Sequence, residues 1–313
     1  MTAAIRLGTR ASVLATTQSG HVAEALRGVT GREVELVPIT TAGDVLTGPL
    51  AQLGGTGVFV AALREALLRD ECDIVVHSMK DLPTGPVEGL RIGAVPVRES
   101  QRDALCARDG HTLASLPHGS VVGSGSPRRA AQLLRRRPDL VVRGIRGNVD
   151  TRLRKVDDGE YDATVLAEAG LSRLGRTAEI TDLFDLAAWP TSAGQGALAV
   201  EVRTGSVELF DALAAVGDTA STTSSLLERA VLRRLEAGCA APVGISATLN
   251  DAEVELIAEV YALDGSRSVR VTRRLATVEV ADESGRTEAA RSVVAELLDG
   301  GAAALADLAG TGR

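Results

Sequence analysis

The sequence has very little lysine and few aromatic rings. Of its 34 basic residues only Lys80 and Lys155 are lysine, and aromatics make up 2% of the 313 residues. Its cores must therefore be built from Val, Leu, Ile and Ala, and it has few rings on which nucleic-acid bases could stack. Three cysteines, Cys72, Cys106 and Cys239, are an odd number and show no CxxC spacing. That argues against a disulfide framework and against a zinc site. The four histidines are scattered, so no metal site is expected. No uninterrupted apolar run approaches ~18 residues, and the opening Met1–Arg6 lacks a charged-then-apolar signal pattern. The expectation is a reduced, water-soluble, cytoplasmic protein with no membrane span. Apolar content of 45% and charged content of 24% are ordinary for a globular chain, and the length favours two or three domains.

The formal net charge is −7, yet Ser124–Arg154 holds nine arginines against two acids, Asp139 and Asp150. Two unit charges ~4 Å apart repel by about 4 kcal/mol at an effective dielectric of ~20. Such crowding is tolerable only if the side chains splay into water or converge on an anion. Val121-Val122-Gly123 reads as a strand end, Ser126 as an N-cap and Pro127 as the first residue of a helix. A second junction follows, with a strand over 140–146, Gly147, Asn148 as cap and a helix from Val149. Free N–H groups at helix starts attract anions, and in α/β domains ligands collect at the carboxyl ends of strands. Arg128, Arg129, Arg146 and Arg152 therefore sit where a ligand would bind. Arg135, Arg136 and Arg137 read as a solvated basic face.

Residues 4–82 alternate strand and helix as βαβαβ, which predicts a mostly parallel sheet. The turn Gly54–Gly57 opens an amphipathic helix but is not a P-loop, because no G-K-[ST] follows. A tight turn and a ligand-facing loop both remain open for it. A buried-type strand over 73–77 runs into Ser78-Met79-Lys80-Asp81. There Lys80 and Asp81 form either a surface ion pair or a site with an ammonium for an anion and a carboxylate for proton or cation work. An extended segment near Val95–Arg98 leads to a second alternating unit over 103–188, and a turn-rich Trp189–Gly196 precedes another strand. Two such crossings suit a hinged cleft between two α/β lobes. From about 218 a long helix, three strand-like runs (243–249, 253–263, 268–275) with an Asp264-Gly265 turn, and a final helix make a small α+β domain. The expected division is 1–96 with 197–215, then 97–196, then 218–313. Cys239, in a loop of small residues, is either accessible or incidental. Cys72 and Cys106 read as packing residues.

The segments Leu7–Ser12, Gly43-Asp44-Val45, Gly54–Val60, His77–Pro83, Gly123–Arg129, Arg146–Arg152, Ala169–Gly175, Gly194–Ala197 and Glu236–Cys239 are each unspecific alone. Their order and spacing together resemble the porphobilinogen deaminase (hydroxymethylbilane synthase) family over nearly the whole chain. That resemblance implies two hinged lobes like those of periplasmic binding proteins plus the small third domain. It implies a transferase of tetrapyrrole biosynthesis that joins four porphobilinogens head to tail, with loss of ammonia, to give 1-hydroxymethylbilane. It further implies a dipyrromethane cofactor joined by a thioether to Cys239, a monomer, and Asp81 as the catalytic carboxylate opposite the azafulvene cation left when ammonia departs. By residue matching, Lys80, Ser126, Arg128, Arg129 and Arg146 bind the cofactor. Arg10, Ser12, Ser124, Arg152, Arg173, Gln195 and Phe59 bind or line the substrate site. Each pyrrole carries an acetate and a propionate, so guanidinium groups suit a growing polyanion. Ala42, Thr56, Pro127, Ser192-Ala193 and the segment Arg98–Asp103 depart from the commonest pattern and bear on loop mobility and elongation rate. The rival readings are a non-catalytic two-lobe anion-binding protein, an inactive paralogue, and a nucleic-acid binder, the last opposed by the acidic total and by an arginine stretch without aromatics.

Overall fold

The computed structural model describes residues 4–39, 57–237, 241–250 and 252–306, with the backbone alone for 57–59. Cys239, Ala42, Gly43–Val45, Gly54–Thr56 and the Phe59 side chain thus lie outside the described residues. In chain order the first stretch runs β1 (Ile5–Thr9), α1 (Val13–Thr30), β2 (Val34–Pro38), α2 (Gly57–Leu68), β3 (Ile74–Ser78) and β4 (Leu90–Ala94). The second runs β5 (Asp103–Ala107), β6 (Val121–Gly123), α3 (Pro127–Arg136), β7 (Val141–Arg143), α4 (Val149–Asp157), β8 (Ala163–Ala167), α5 (Glu168–Arg173) and β9 (Asp182–Leu183). Then come β10 (Leu198–Arg203), α6 (Phe210–Val216), α7 (Thr219–Arg234), β11 (Val243–Asn250), β12 (Glu253–Tyr261), β13 (Ser268–Ala276) and α8 (Glu283–Asp299).

The chain forms two compact units, Met1–Glu99 with Gly196–Thr222 and Ser100–Gln195 with Thr223–Arg313. The first holds one five-stranded sheet in the order β2-β1-β3-β10-β4, with β10 antiparallel to both neighbours. Four strands run one way, as the βαβ pattern requires, and β10 alone opposes them. Alternation sorts the faces. Ile74 and Val76 pack with Val22 and Leu26 of α1 and Leu213 of α6, whereas Val75 packs with Leu63 and Leu67 of α2. Ser12 caps α1 by accepting from the Ala15 N–H, and Gly31, in the left-handed region at φ 63°, ends it.

The second unit repeats the plan in the order β7-β6-β8-β5-β9, with β5 antiparallel to β8 and β9. Leu105 faces Leu133 of α3 and Val122, while Ala104 and Cys106 face Leu153 of α4 and Leu171 of α5. The unit also contains the three-stranded antiparallel sheet β11-β12-β13. One face of that sheet, with Leu256, Ala258 and Val260, packs on Leu227 and Val231 of α7 and on Val293 and Leu297 of α8. The α/β class with a small carboxy-terminal α+β domain is the class the sequence predicts.

Two expectations need correction. The strand over 140–146 pairs only at Val141–Arg143. Beyond it the Gly144 carbonyl accepts from the Tyr161 hydroxyl at 2.7 Å, and Ile145 is buried against Gly123, where a Cβ would lie 2.9 Å from Ile145 Cδ1. Nor do Arg136 and Arg137 simply splay into water, although Arg136 stays exposed and Arg137 is half-buried. Arg137 donates to Asp139 and to the carbonyls of Leu113 and Leu116, and Arg136 lies over the Trp189 ring at 4.6 Å and bonds the Ala188 carbonyl. Asp139 is two positions from Arg137, but the carbonyls of Leu113, Leu116 and Ala188 come from distant stretches that only tertiary packing brings near; Arg135 and Arg136 are both exposed.

Candidate active site

In the first unit, β1 and β3 run parallel with Leu7 opposite Ile74 and Gly8 opposite Val75. Their carboxyl ends therefore share one edge of the sheet. Arg10 and Ser12 follow β1 there, and a single 3-10 turn, Met79–Asp81, follows β3. Leu198 of β10 is opposite Ser78, and the Met79 N–H donates to the Ala197 carbonyl at 3.0 Å. Met79 and Leu82 are buried on either side of half-buried Lys80 and exposed Asp81. Two apolar anchors thus fix the turn, and its carboxylate is left on the surface.

Beneath this edge lies a buried group that sequence reading missed. The His77 ring nitrogen Nε2 is 3.0 Å from Glu201, and Arg64 donates to both Glu201 oxygens at 2.9 and 2.8 Å. Burial alone would push the Glu201 carboxyl up. The His77 and Arg64 contacts outweigh it and bring the pKa down to about 2. An acid within the apolar run Ala197–Val202 was its only trace in the sequence.

In the second unit, β6, β7 and β8 are parallel and their carboxyl ends again share an edge. Ser124 and Ser126 follow β6. Ser126 caps α3 by accepting from the Arg129 N–H, and Ser124 Oγ accepts from the Ser126 N–H at 3.2 Å. Asn148 caps α4 by accepting from Thr151 N–H, which places exposed Arg146 just before the helix and half-buried Arg152 in its first turn. Arg152 Nε donates to the Gly147 carbonyl at 2.8 Å. Half-buried Arg173 ends α5.

Asp103, the first residue of antiparallel β5, comes to this same edge opposite Ala167. Sequence reading missed it, since an acid opening a short apolar strand carries no local signal. It is fully buried and accepts four hydrogen bonds: from Arg129 at 2.6 Å, Gln195 Nε2 at 2.8 Å, Arg128 at 2.9 Å and Trp189 Nε1 at 2.9 Å. Burial would raise its pKa, but the Arg128 and Arg129 charges hold it far below the ordinary range. Arg128 is 2% exposed, and Gln195, 1% exposed, also donates to the Gln101 carbonyl at 2.7 Å. These two are interior groups that brace the edge.

Two guanidiniums on one carboxylate leave the cluster with net positive charge. The Nε atoms of Arg128 and Arg129 are buried without a hydrogen-bond partner. Burial, and then the Arg129 charge, lower the pKa of Arg152. Unrelieved positive charge, helix-start N–H groups and forked donors fit an anionic group with several carboxylates.

Residues 5–211 match the family model described as porphobilinogen deaminase, dipyromethane cofactor binding domain, and residues 222–295 match the porphobilinogen deaminase C-terminal domain. The chain belongs to the porphobilinogen deaminase family. A porphobilinogen deaminase of Leifsonia xyli subsp. xyli is 52% identical over 315 residues, covering 98% of this chain and 95% of its own. Those of Thermobifida fusca (49% identical; 98% and 97% covered) and Cutibacterium acnes (51%; 99% and 98%) are equally full-length relatives. Among solved structures, the methionine-binding protein MetQ matches at 13% identity and a TM-score of 0.44 over 72% of this chain and 93% of its own, too distant to carry an argument. The dipyrromethane-binding porphobilinogen deaminase domain covers both sheet edges that bear the expected residues.

Proposed function

We propose that this chain is a hydroxymethylbilane synthase, joining four porphobilinogens head to tail with release of ammonia at each step. The observation that carries the reading is the full-length family match, with an exposed, braced Asp81 on one sheet edge and an excess of guanidinium charge on another. The dipyrromethane, when bound, supplies the free α-carbon at which the chain grows. The thioether is assigned to Cys239, by residue matching. Arg129, Arg146 and Arg152, with Lys80, Ser124, Ser126 and the α3 N–H groups, are assigned to acetate and propionate side chains. Arg10, Ser12, Arg173 and Phe59 complete the substrate contacts. Arg128 and Gln195 act by holding Asp103, which sets the stance of Arg129.

Cleavage of the aminomethyl C–N bond leaves with ammonia the electron pair of that bond. Positive charge then develops on the methylene carbon and spreads to the pyrrole nitrogen. The Asp81 carboxylate, fixed by Met79 and Leu82, stabilises that charge as it forms, without reorganising. It is also the group placed to accept the proton that leaves the pyrrole ring after coupling. The domain division at 1–96 with 197–215, 97–196 and 218–313 belongs to the same reading, supported by three sheets that each fall within one of these spans. So do a monomeric state and a cytoplasmic location. Among the described residues no helix is long and apolar enough to cross a membrane.

Intact-mass measurement of the purified protein tests the reading. A covalent dipyrrole, and colour with Ehrlich's aldehyde reagent, are expected in the wild type and absent from Cys239→Ser. A bare polypeptide, even after incubation with porphobilinogen, would remove the deaminase reading.

A further inference from the structure

The three-stranded sheet has a second face. Leu256, Ala258 and Val260 of β12 point into its helix-backed core, so Glu259 and Tyr261 point the other way. That other face meets α3. The Gln132 amide, fully buried, donates to the Tyr261 hydroxyl at 3.0 Å, and the hydroxyl donates to Glu259 at 2.8 Å. Arg270 donates to the same Glu259 oxygen at 3.1 Å. On its other side, Gln132 Oε1 accepts from Arg128 at 2.7 Å, and Arg128 donates to Asp103.

The donor chemistry leaves no ambiguity of direction. Arginine only donates, so Gln132 must present its oxygen to Arg128 and its N–H to Tyr261. Tyr261 then has only its own proton to give, and Glu259 receives it. Burial, and the charge of Glu259, hold the Tyr261 hydroxyl protonated far above its ordinary range. The backbone of Tyr261 is engaged as well: its N–H donates to the Pro242 carbonyl at 3.0 Å. Pro242 stands three positions after Cys239 in the sequence.

We propose that Tyr261 is a positioning residue of the bilane-forming reaction, tying the segment that follows Cys239 to the guanidinium pair Arg128–Arg129 through Gln132 and Asp103. It thereby sets where the anchored chain stands relative to the charges that hold its carboxylates. The proposal rests on the deaminase reading and on Cys239 as the anchor. It adds a residue that acts through Gln132, Asp103 and the Pro242 carbonyl.

Tyr261→Phe removes the hydroxyl and keeps the packed ring. In the as-purified holoenzyme, KM for porphobilinogen should rise about fivefold with kcat within about twofold, the loss of one net hydrogen bond. The dipyrrole mass should be retained. Gln132→Met, close in shape, should do the same, and the double variant should be no worse than Gln132→Met alone, because both cut one relay. Thermal midpoints should show the same shortfall from additivity. An unchanged KM in Tyr261→Phe, or KM losses that multiply in the double variant, would overturn the proposal. Fully additive midpoint losses would do so as well. A wild-type protein with neither dipyrrole nor turnover would strike down the deaminase reading instead, and the midpoint cycle would still decide whether the hydroxyl and Gln132 are coupled.

Discussion

Asp81 and Glu201 are both acids of the first unit, and their surroundings give them opposite work. Asp81 is exposed on a turn pinned by buried Met79 and Leu82. Asp81→Asn should therefore leave the thermal midpoint nearly unchanged and lower bilane production at least about 100-fold. Near-normal production would overturn the role given to it. Glu201 is buried against Arg64 and His77, and its pKa of about 2 lies below the usual 4.5. A carboxyl whose folded pKa is depressed contributes stability above its unfolded pKa and loses it as pH falls through the folded one. The contribution, about 3 kcal/mol at 1.36 kcal/mol per unit, should disappear as pH drops from about 4.5 to about 2. Urea midpoints across that range should fall more steeply for the wild type than for Glu201→Gln.

At the scale of elements, α3 joins two sheets. Its apolar Leu133 packs toward the β6 sheet, its Gln132 meets β12, and the β12–β13 turn sits on its backbone. Gly265 of that turn has φ +73°, and a Cβ there would lie 2.5 Å from Arg135 N and 2.6 Å from the Ala131 carbonyl. Gly265→Ala should thus cost at least about 2 kcal/mol, the left-handed penalty plus a backbone clash. Gly110→Ala, at φ +71° with nothing within 4 Å, should cost only about 1 kcal/mol. Equal losses on denaturant unfolding would mean that the turn does not press on the helix. The caps Ser12, Ser126 and Asn148 and the helix starts they mark were legible, because each needs only a side chain and a neighbouring N–H. The end of β7 was not: Ile145 after Gly144 extends the strand-like pattern past Arg143, and it is Tyr161, from another loop, that takes the Gly144 carbonyl.

For the whole molecule, the three cysteines offer a count of anchored chain. Cys72 and Cys106 are buried, and burial pushes their thiols up to about 11 and about 12. Neither should react with a thiol reagent in the folded protein near neutral pH, where the thiolate is scarce. If Cys239 carries the dipyrrole, no thiol reacts before unfolding and two react after it. Three reactive thiols on unfolding, in protein that makes bilane, would place the anchor elsewhere.

By itself the sequence determined the α/β alternation, the carboxy-terminal α+β domain, the helix caps and the family, because periodicity, capping and ordered motifs are written locally along the chain. It also put Arg128, Arg129, Arg146 and Arg152 at strand ends. What it did not contain was which of those charges meets a partner. Asp103 lies 25 and 26 positions from the arginines it holds, and Tyr261 lies 129 positions from Gln132. An antiparallel strand brings the first acid to the parallel edge, and a neighbouring sheet brings the tyrosine to the helix. Burial and hydrogen bonding between residues so far apart in sequence exist only once the chain has folded, so tertiary structure alone decided which arginines brace the edge by holding Asp103 and which do not.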